Sequence, residues 1–298
     1  MTEILQLLSS GIAQGMIYAL IAFGYSITYS TSKTINFSLG NLLMVGGVTG
    51  LLVYMDTKTG QPSGHGWFLA LVAVLVVTSI LGIIAYKLAV EPSLKQGSDF
   101  AWVLATLAFG IIVKNSVEQI WSTDDFRMTS PLGDSPIRLG GAGIYPQEIL
   151  IVVVSITIVS IVEIFRRKTI LGKAIQAVSE DKKTASLMGI NQNFVILFSF
   201  ALSTAIAGVA GLLVAPLTLV SATMGTVLGV KAYAAAIIGG LESGFGMLAG
   251  GLILGLSEAF TSRFISTGYK DTPGFVFLIL IILFRPSGLF GKRVFKKV

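Results

Sequence analysis

Few residues in this chain are equipped for covalent chemistry. Its 298 residues include one histidine, His65, and no cysteine. That removes thiol nucleophiles, Cys-ligated zinc, iron–sulfur clusters and paired-histidine haem ligation. His65 falls in the turn-rich stretch 56–66, where a lone histidine reads as solvated and an intramembrane Ser–His pair has no histidine to use. A P-loop needs Gly-x-x-x-x-Gly-Lys-Ser/Thr, and neither Gly172-Lys173-Ala174 nor Gly291-Lys292-Arg293 fits. The residues therefore argue against an enzyme and leave a path, a scaffold or a sensor, with no metal site and no cofactor expected on this chain.

The remaining polar groups of interest interrupt apolar sequence, where charge is costly and function is the default hypothesis. Lys114 and Glu118 are four apart, the spacing of a helix-end ion pair. Glu258 ends one apolar stretch and Lys231 begins another, so Glu258 is expected half solvated near an interface. No chain of acids runs through the apolar sequence, which weighs against a proton relay. The segment Thr34-Ile-Asn-Phe-Ser-Leu-Gly40-Asn41 stands apart. Asn36 suits a helix N-cap, and a helix starting there carries Ser38, Gly40 and Asn41 on its first turns. Broken helices in transporters aim such ends at polar substrate groups, whereas the plainer reading is an ordinary cap after a short loop.

Composition decides what positions these groups. Apolar residues make up 53% and charged residues only 12%, roughly half the charge a soluble domain carries, so neither a soluble globule nor a disordered chain fits. A single all-α domain spanning 1–298, a polytopic membrane helix bundle, is expected. Apolar segments lie at about 4–30, 36–55, 67–90, 100–121, 148–165, 194–219, 226–241, 245–262 and 273–290. The second and seventh are weak, Gly-rich or short, so eight to nine membrane segments are expected and either weak one is open to being re-entrant. The first run is too long, and too free of preceding basic residues, for a cleavable signal peptide.

The formal charge of +6 does not signal nucleic acid, because the basic residues are clustered. Arg166, Arg167, Lys168, Lys173, Lys182 and Lys183 fall in 166–183, and Arg285, Lys292, Arg293, Lys296 and Lys297 in 285–298. By the positive-inside rule both clusters are cytoplasmic. Counting back five segments puts the amino terminus outside, and counting forward four returns the carboxyl terminus to the cytoplasm. The acidic loop with Asp124, Asp125 and Asp134 then falls outside. Glycines four apart (Gly11 and Gly15, Gly46 and Gly50, Gly246 and Gly250, Gly251 and Gly255) strip helix faces for close packing, and the same smooth faces suit sliding during transport.

Several stretches together resemble one family, the permease subunits of branched-chain amino acid ABC transporters, and within it the H-type subunit of the high-affinity leucine–isoleucine–valine system. They are Gly15-Met-Ile-Tyr-Ala-Leu-Ile-Ala-Phe-Gly24, Ile35-Asn-Phe-Ser-Leu-Gly40, Gly172-Lys-Ala-Ile-Gln-Ala-Val-Ser-Glu-Asp181 with Ala185-Ser-Leu-Met-Gly-Ile-Asn191, Ser266-Thr-Gly-Tyr-Lys-Asp271 and Arg285-Pro-Ser-Gly-Leu-Phe-Gly291. The chain departs from the family at Ser38-Leu39, where Ala-His is common, and at Glu242, Phe245 and Met247. The resemblance implies half of a translocation pore in the bacterial inner membrane. It also implies a second homologous permease subunit, two ABC ATPase subunits that bind the ATP, an extracytoplasmic amino-acid-binding protein, and contact with membrane lipid but not nucleic acid.

On that reading the cytoplasmic loop 166–193 contains the ATPase-coupling segment, with Gly172, Ala177, Glu180, Asp181, Ala185, Leu187, Met188 and Gly189 as its residues. Ala174, Ala177, Val178, Ala185, Leu187 and Met188 are expected to form one apolar face of a short helix that Gly189 ends in a left-handed cap. The plainer alternative is a basic loop held at anionic headgroups. Asn36, Ser38 and Asn41, with Ser203, Thr204 and Gly208 of the sixth segment, are the expected substrate pathway. A self-sufficient ion-coupled carrier or channel is the competing reading, and a non-transporting scaffold a third.

Overall fold

The structure, a computed structural model, describes residues 2–56, 61–95, 100–139 and 142–291. The tail cations Lys292, Arg293, Lys296 and Lys297, and part of the 56–66 loop, lie outside the described residues. Every expected apolar segment forms a helix. In chain order they are α1 (Thr2–Ser32), α2 (Leu39–Tyr54), α3 (Trp67–Ala85), α4 (Glu91–Lys95), α5 (Ala101–Ile120), α6 (Pro146–Lys168), α7 (Ile170–Glu180), α8 (Lys182–Leu187), α9 (Gln192–Val214), α10 (Met224–Gly239), α11 (Gly244–Phe264) and α12 (Thr272–Phe284). A π-helical turn at Tyr86–Val90 joins α3 to α4, immediately before Pro92, which has no N–H to extend the regular ladder. Among the described residues, seven helices are long and apolar enough to cross a membrane, and α2 and α10 are shorter apolar helices of 16 residues.

The loops sort to two ends of the bundle. At one end Glu3 pairs with Arg263 at 2.9 Å, Ser9 donates to Glu148 at 2.5 Å, and Phe126–Arg127 forms a short antiparallel ladder with Leu219–Val220. At the other end Lys33 pairs with Glu242 at 3.0 Å, Lys182 donates to the Ser32 carbonyl at 2.7 Å, and Leu289 N–H donates to Ile238 O at 2.9 Å. The second end carries α7, α8 and the basic run closing α6.

The centre consists of α1, α2, α9, α10 and α11, with α3 against α9 and α2 and with α5, α6 and α12 around it. Lipid provides no hydrophobic drive for helices to associate, so backbone proximity has to supply the contact. The expected glycine stripes do this. The Gly11–Gly15 stripe of α1 lies on the Gly251–Gly255 stripe of α11, and Gly46 of α2 lies on the backbone of Gly208.

Candidate functional site

Two features locate the site. The first is the polar turn between α1 and α2. Gly24 is eight residues before the end of α1, roughly 12 Å along its axis. A Cβ built there would meet Leu39 and Ser203 at 3.1 Å, so α2 begins level with Gly24. Between Ser32 and Leu39 the chain therefore doubles back into the bundle. Most of its polar side chains bond one another within the turn. Ser32 and Thr34 hydroxyls lie 2.6 Å apart, and Asn36 Oδ1 accepts from Ser38 N–H at 3.2 Å and Ser38 Oγ at 2.6 Å. The helix starts at Leu39, so Asn36 holds the turn before the helix rather than occupying its cap position. Asn36 Nδ2 is buried with no partner.

The start of α10 meets this turn. Gly40 lies against Gly225 O and Gly229, so two short helices bring their amino-terminal ends together in the interior of the bundle. Both helix dipoles then place positive potential at one locus. Asn41 reaches outward, with its amide against Gly110 of α5 and its Oδ1 accepting from Thr226 Oγ1 at 3.5 Å. Thr226 and Val230 of α10 are exposed, and Tyr233 on the same stripe is half-buried. Phe37 stacks on Trp102 at 6.2 Å and packs against Tyr233 at 5.4 Å, closing the aromatic side of this open face. Sequence reasoning missed Thr226, Tyr233 and Trp102. The 3.6-residue spacing of Thr226, Val230 and Tyr233 on a weak segment was the only available signal.

Ser203, Thr204 and Gly208 lie behind the turn and not on the open face. Ser203 Oγ donates to Gly24 O at 2.8 Å, which ties α9 to α1. Thr204 bonds the Phe200 carbonyl of its own helix and fits against Gly82 of α3. Gly208 is enclosed by Thr78 of α3 and Gly46 of α2. All three are buried, and they set the spacing of the helices that support Asn36, Ser38 and Asn41.

The second feature is the hairpin after α6. The single short helix expected there is two, because Asp181 breaks the run and caps α8. Its carboxylate accepts from Lys183 N–H at 2.8 Å, Thr184 N–H at 3.3 Å and Thr184 Oγ1 at 2.6 Å. The Thr184 hydroxyl first, then the two backbone donors, hold its carboxyl below the usual aspartate range. Thr169 caps α7, Asn191 caps α9, and Gly189 adopts φ +83° after α8, the left-handed cap its type suggested. Glu180 is exposed.

The expected single apolar face is also split. Ile175, Val178 and Ala185 turn inward against Val195 and Phe165, with Ala174 and Ala177 half-buried beside them. Leu187 and Met188 point away, 88% and 79% exposed, and Ile170 is 90% exposed. Gly172 lets α7 cross directly over the backbone of Phe165 and Arg166. Lys182 reaches the carboxyl-terminal carbonyl of α1, the favourable end of that dipole for a cation. Burial, and then the nearby Lys33, lower its pKa.

A further expectation fails at Glu258. Glu258 is not half solvated but 1% exposed. Lys231 lies 3.1 Å from its Oε1, Tyr18 OH donates to its Oε2 at 2.7 Å, and Asp271 lies 2.5 Å from Lys231. The sequence placed Lys231 and Glu258 on separate segments, 27 residues apart. Only the packing of α10 on α11 makes them partners. Lys114 and Glu118 form the expected i,i+4 pair at 3.3 Å. His65 stays in its loop with Ser63, and among the described residues no group of three metal-ligating side chains occurs.

Residues 7–284 match the family described as the branched-chain amino acid transport system permease component, and the chain belongs to that family. It is 33% identical over 99% of its length to the high-affinity branched-chain amino acid transport system permease protein BraD of Pseudomonas aeruginosa, covering 98% of that protein. It is 32% identical to LivH of Escherichia coli, with 99% and 97% covered. A more distant similarity, 23% over 89% of this chain and 73% of the relative, is to the fructose import permease protein FruF of Bifidobacterium longum. No solved structure matches the chain. The protein is thus a multi-pass membrane permease component.

Proposed function

We propose that this chain is a permease subunit of an ATP-driven importer for branched-chain or related neutral amino acids, forming half of its pore in the bacterial inner membrane. It works with a second homologous permease subunit, two ATPases that bind and hydrolyse the ATP, and an extracytoplasmic binding protein. The α7–α8 end lies in the cytoplasm, because Arg166, Arg167, Lys168, Lys173 and Lys183 gather there, and the amino terminus lies outside. With α2 and α10 each counted as a crossing, nine crossings connect these ends.

The observation that carries the reading is the exposure of Ile170, Leu187 and Met188 on a capped hairpin beyond the basic end of α6. Apolar side chains projecting past the charged interface suit a groove on a partner protein. A push on Leu187 and Met188 passes through Ala185 to α9, through Gly172 to α6 and through Lys182 to the end of α1. The end of α1 leads directly into the turn holding Asn36 and Ser38.

The open face formed by Asn41, Thr226, Val230, Tyr233 and Phe37 is the passage, closed by the second subunit. Asn41, Thr226 and the paired helix amino termini meet the charged backbone groups of an amino acid, and Asn36 Nδ2 is a donor without a partner nearby. Val230 and the aromatic rings meet its apolar side chain. Ser203, Thr204 and Gly208 hold the helices behind this passage.

Reconstitution with the partner ATPases and binding protein tests this. Leu187→Ser/Met188→Ser should abolish ATP-dependent uptake of labelled leucine while the permease is still recovered at wild-type yield. Uptake by this chain alone, driven by a sodium or proton gradient, would overturn the reading.

A further inference from the structure

A groove between α6 and α11 opens at the α7–α8 end, with a cavity volume of about 610 Å³. Ile156, Val159, Phe245 and Leu248 line its apolar part, and Arg166 and Arg167 line its mouth. From Ile156 to Arg166 is ten residues, roughly 15 Å of helix and the depth of one bilayer leaflet. A groove that is apolar for one leaflet and basic at its end has the polarity profile of a phospholipid.

The charges at the mouth do not fully pair off. Glu163 takes Arg167 at 2.8 Å and lies 3.6 Å from Arg166, while Glu242 is occupied by Lys33 at 3.0 Å. Arg166 is left under-matched. Its side chain is 17% exposed, and its Nε is buried with no acceptor. The amino terminus of α11 faces the same mouth at Ser243 and Gly244, adding positive potential, and Lys168 follows two residues on. An anion with an apolar tail matches this arrangement, whereas a free solute has no use for the apolar length and a zwitterionic headgroup brings no net charge.

We propose that this groove is a binding site for one acidic phospholipid of the inner leaflet, with its phosphate at Arg166 and the start of α11 and its acyl chains along Ile156, Val159, Phe245 and Leu248. Because the groove joins α6, which leads into the α7–α8 hairpin, to the α11 side of the centre, the bound lipid braces the hairpin against the bundle. The site rests on the membrane orientation given above but not on the identity of the cargo.

Native mass spectrometry of the purified permease complex, delipidated and then titrated with phosphatidylglycerol or phosphatidylcholine in mixed micelles, tests it. Wild type should retain phosphatidylglycerol over phosphatidylcholine. Arg166→Gln/Arg167→Gln should weaken that retention about tenfold or more, the effect of losing charge-assisted phosphate contacts. Ser160→Trp, which fills the groove without changing charge, should reduce it comparably. Lys87→Gln/Lys95→Gln, exposed on the π-helical turn and on α4, should change it less than twofold. Equal retention of the two lipids, or equal loss in the lysine and arginine variants, overturns the site. ATP-dependent uptake measured on the same samples separates this outcome from failure of the transport reading, since lipid retention is scored without any transport.

Discussion

In the centre, α1, α2, α9, α10 and α11 meet backbone to backbone through glycine, whereas the α7–α8 end is held by side-chain caps and a small apolar cluster. At Gly46 and Gly208, or Gly15 and Gly251, no side chain intervenes that can shift to absorb a change. At the hairpin, Thr169, Asp181, Asn191 and Gly189 each end or begin a helix locally, and Ile170, Leu187 and Met188 are largely exposed. The first arrangement transmits displacement as a block and tolerates no added atoms. The second keeps its shape through local caps, which suits the docking element proposed above.

That contrast is broken most directly at Gly46. A Cβ there would fall inside the Gly208 backbone, so Gly46→Val must separate α2 from α9. A loss of about 4 kcal/mol or more is expected, in the range reserved for severe core disruption. It would be read as failure to recover monodisperse protein in detergent. Normal yield and melting temperature for this variant would show that the centre yields more than its backbone contacts imply.

The buried ion pair comes next. Glu258→Ala leaves Lys231 with the half-exposed Asp271 as its remaining carboxylate and the neutral Tyr18 hydroxyl, and removing one partner of a buried pair costs about 3 kcal/mol. Lys231→Met/Glu258→Met should recover most of the thermal stability, because no unpaired charge remains inside. A double variant as unstable as the single one would show that the pair contributes more than mutual neutralisation.

The hairpin should respond more mildly. Gly189→Val has open space for its side chain but forces a β-branched residue into φ +83°, costing about 1–2 kcal/mol. Uptake should fall relative to ATP hydrolysis, while the melting temperature of the permease falls by only a few degrees. Equal loss of both activities, or a large drop in melting temperature, would place Gly189 in the structural core instead.

The smallest effect is the acid response of Asp181. Its folded carboxyl titrates below the usual aspartate range, so the α8 cap is fully present above that range and is lost as pH falls through the lowered value. Protection of the Lys183 and Thr184 amides against exchange should therefore be lost only below the usual aspartate range. Asp181→Ala should show fast exchange at neutral pH and no further acid step.

Much of this was legible before folding. The nine apolar segments, the four-residue glycine spacing and the Gly189 cap are local or periodic signals, and each falls close to its expected position. The same applies to the Lys114–Glu118 pair, which one helix contains entirely. Less legible was the depth at which α2 begins. Asn36 marked a helix start, but nothing local says that the chain climbs back alongside Gly24 before that start. The Thr226 face was hidden for a similar reason, since a 16-residue helix with one threonine carries no mark of what stands opposite.

From its residues alone the chain was set as a polytopic helical bundle with small-residue interfaces and a basic end to α6, because composition and periodicity report how each segment meets lipid or water. Tertiary structure decided which segments touch: that Glu258 is buried on Lys231, that Ser203 and Thr204 serve helix packing, and that Leu187 faces outward while Ala185 faces in. Those outcomes depend on distances between residues far apart in the chain, and such distances exist only once the helices have packed.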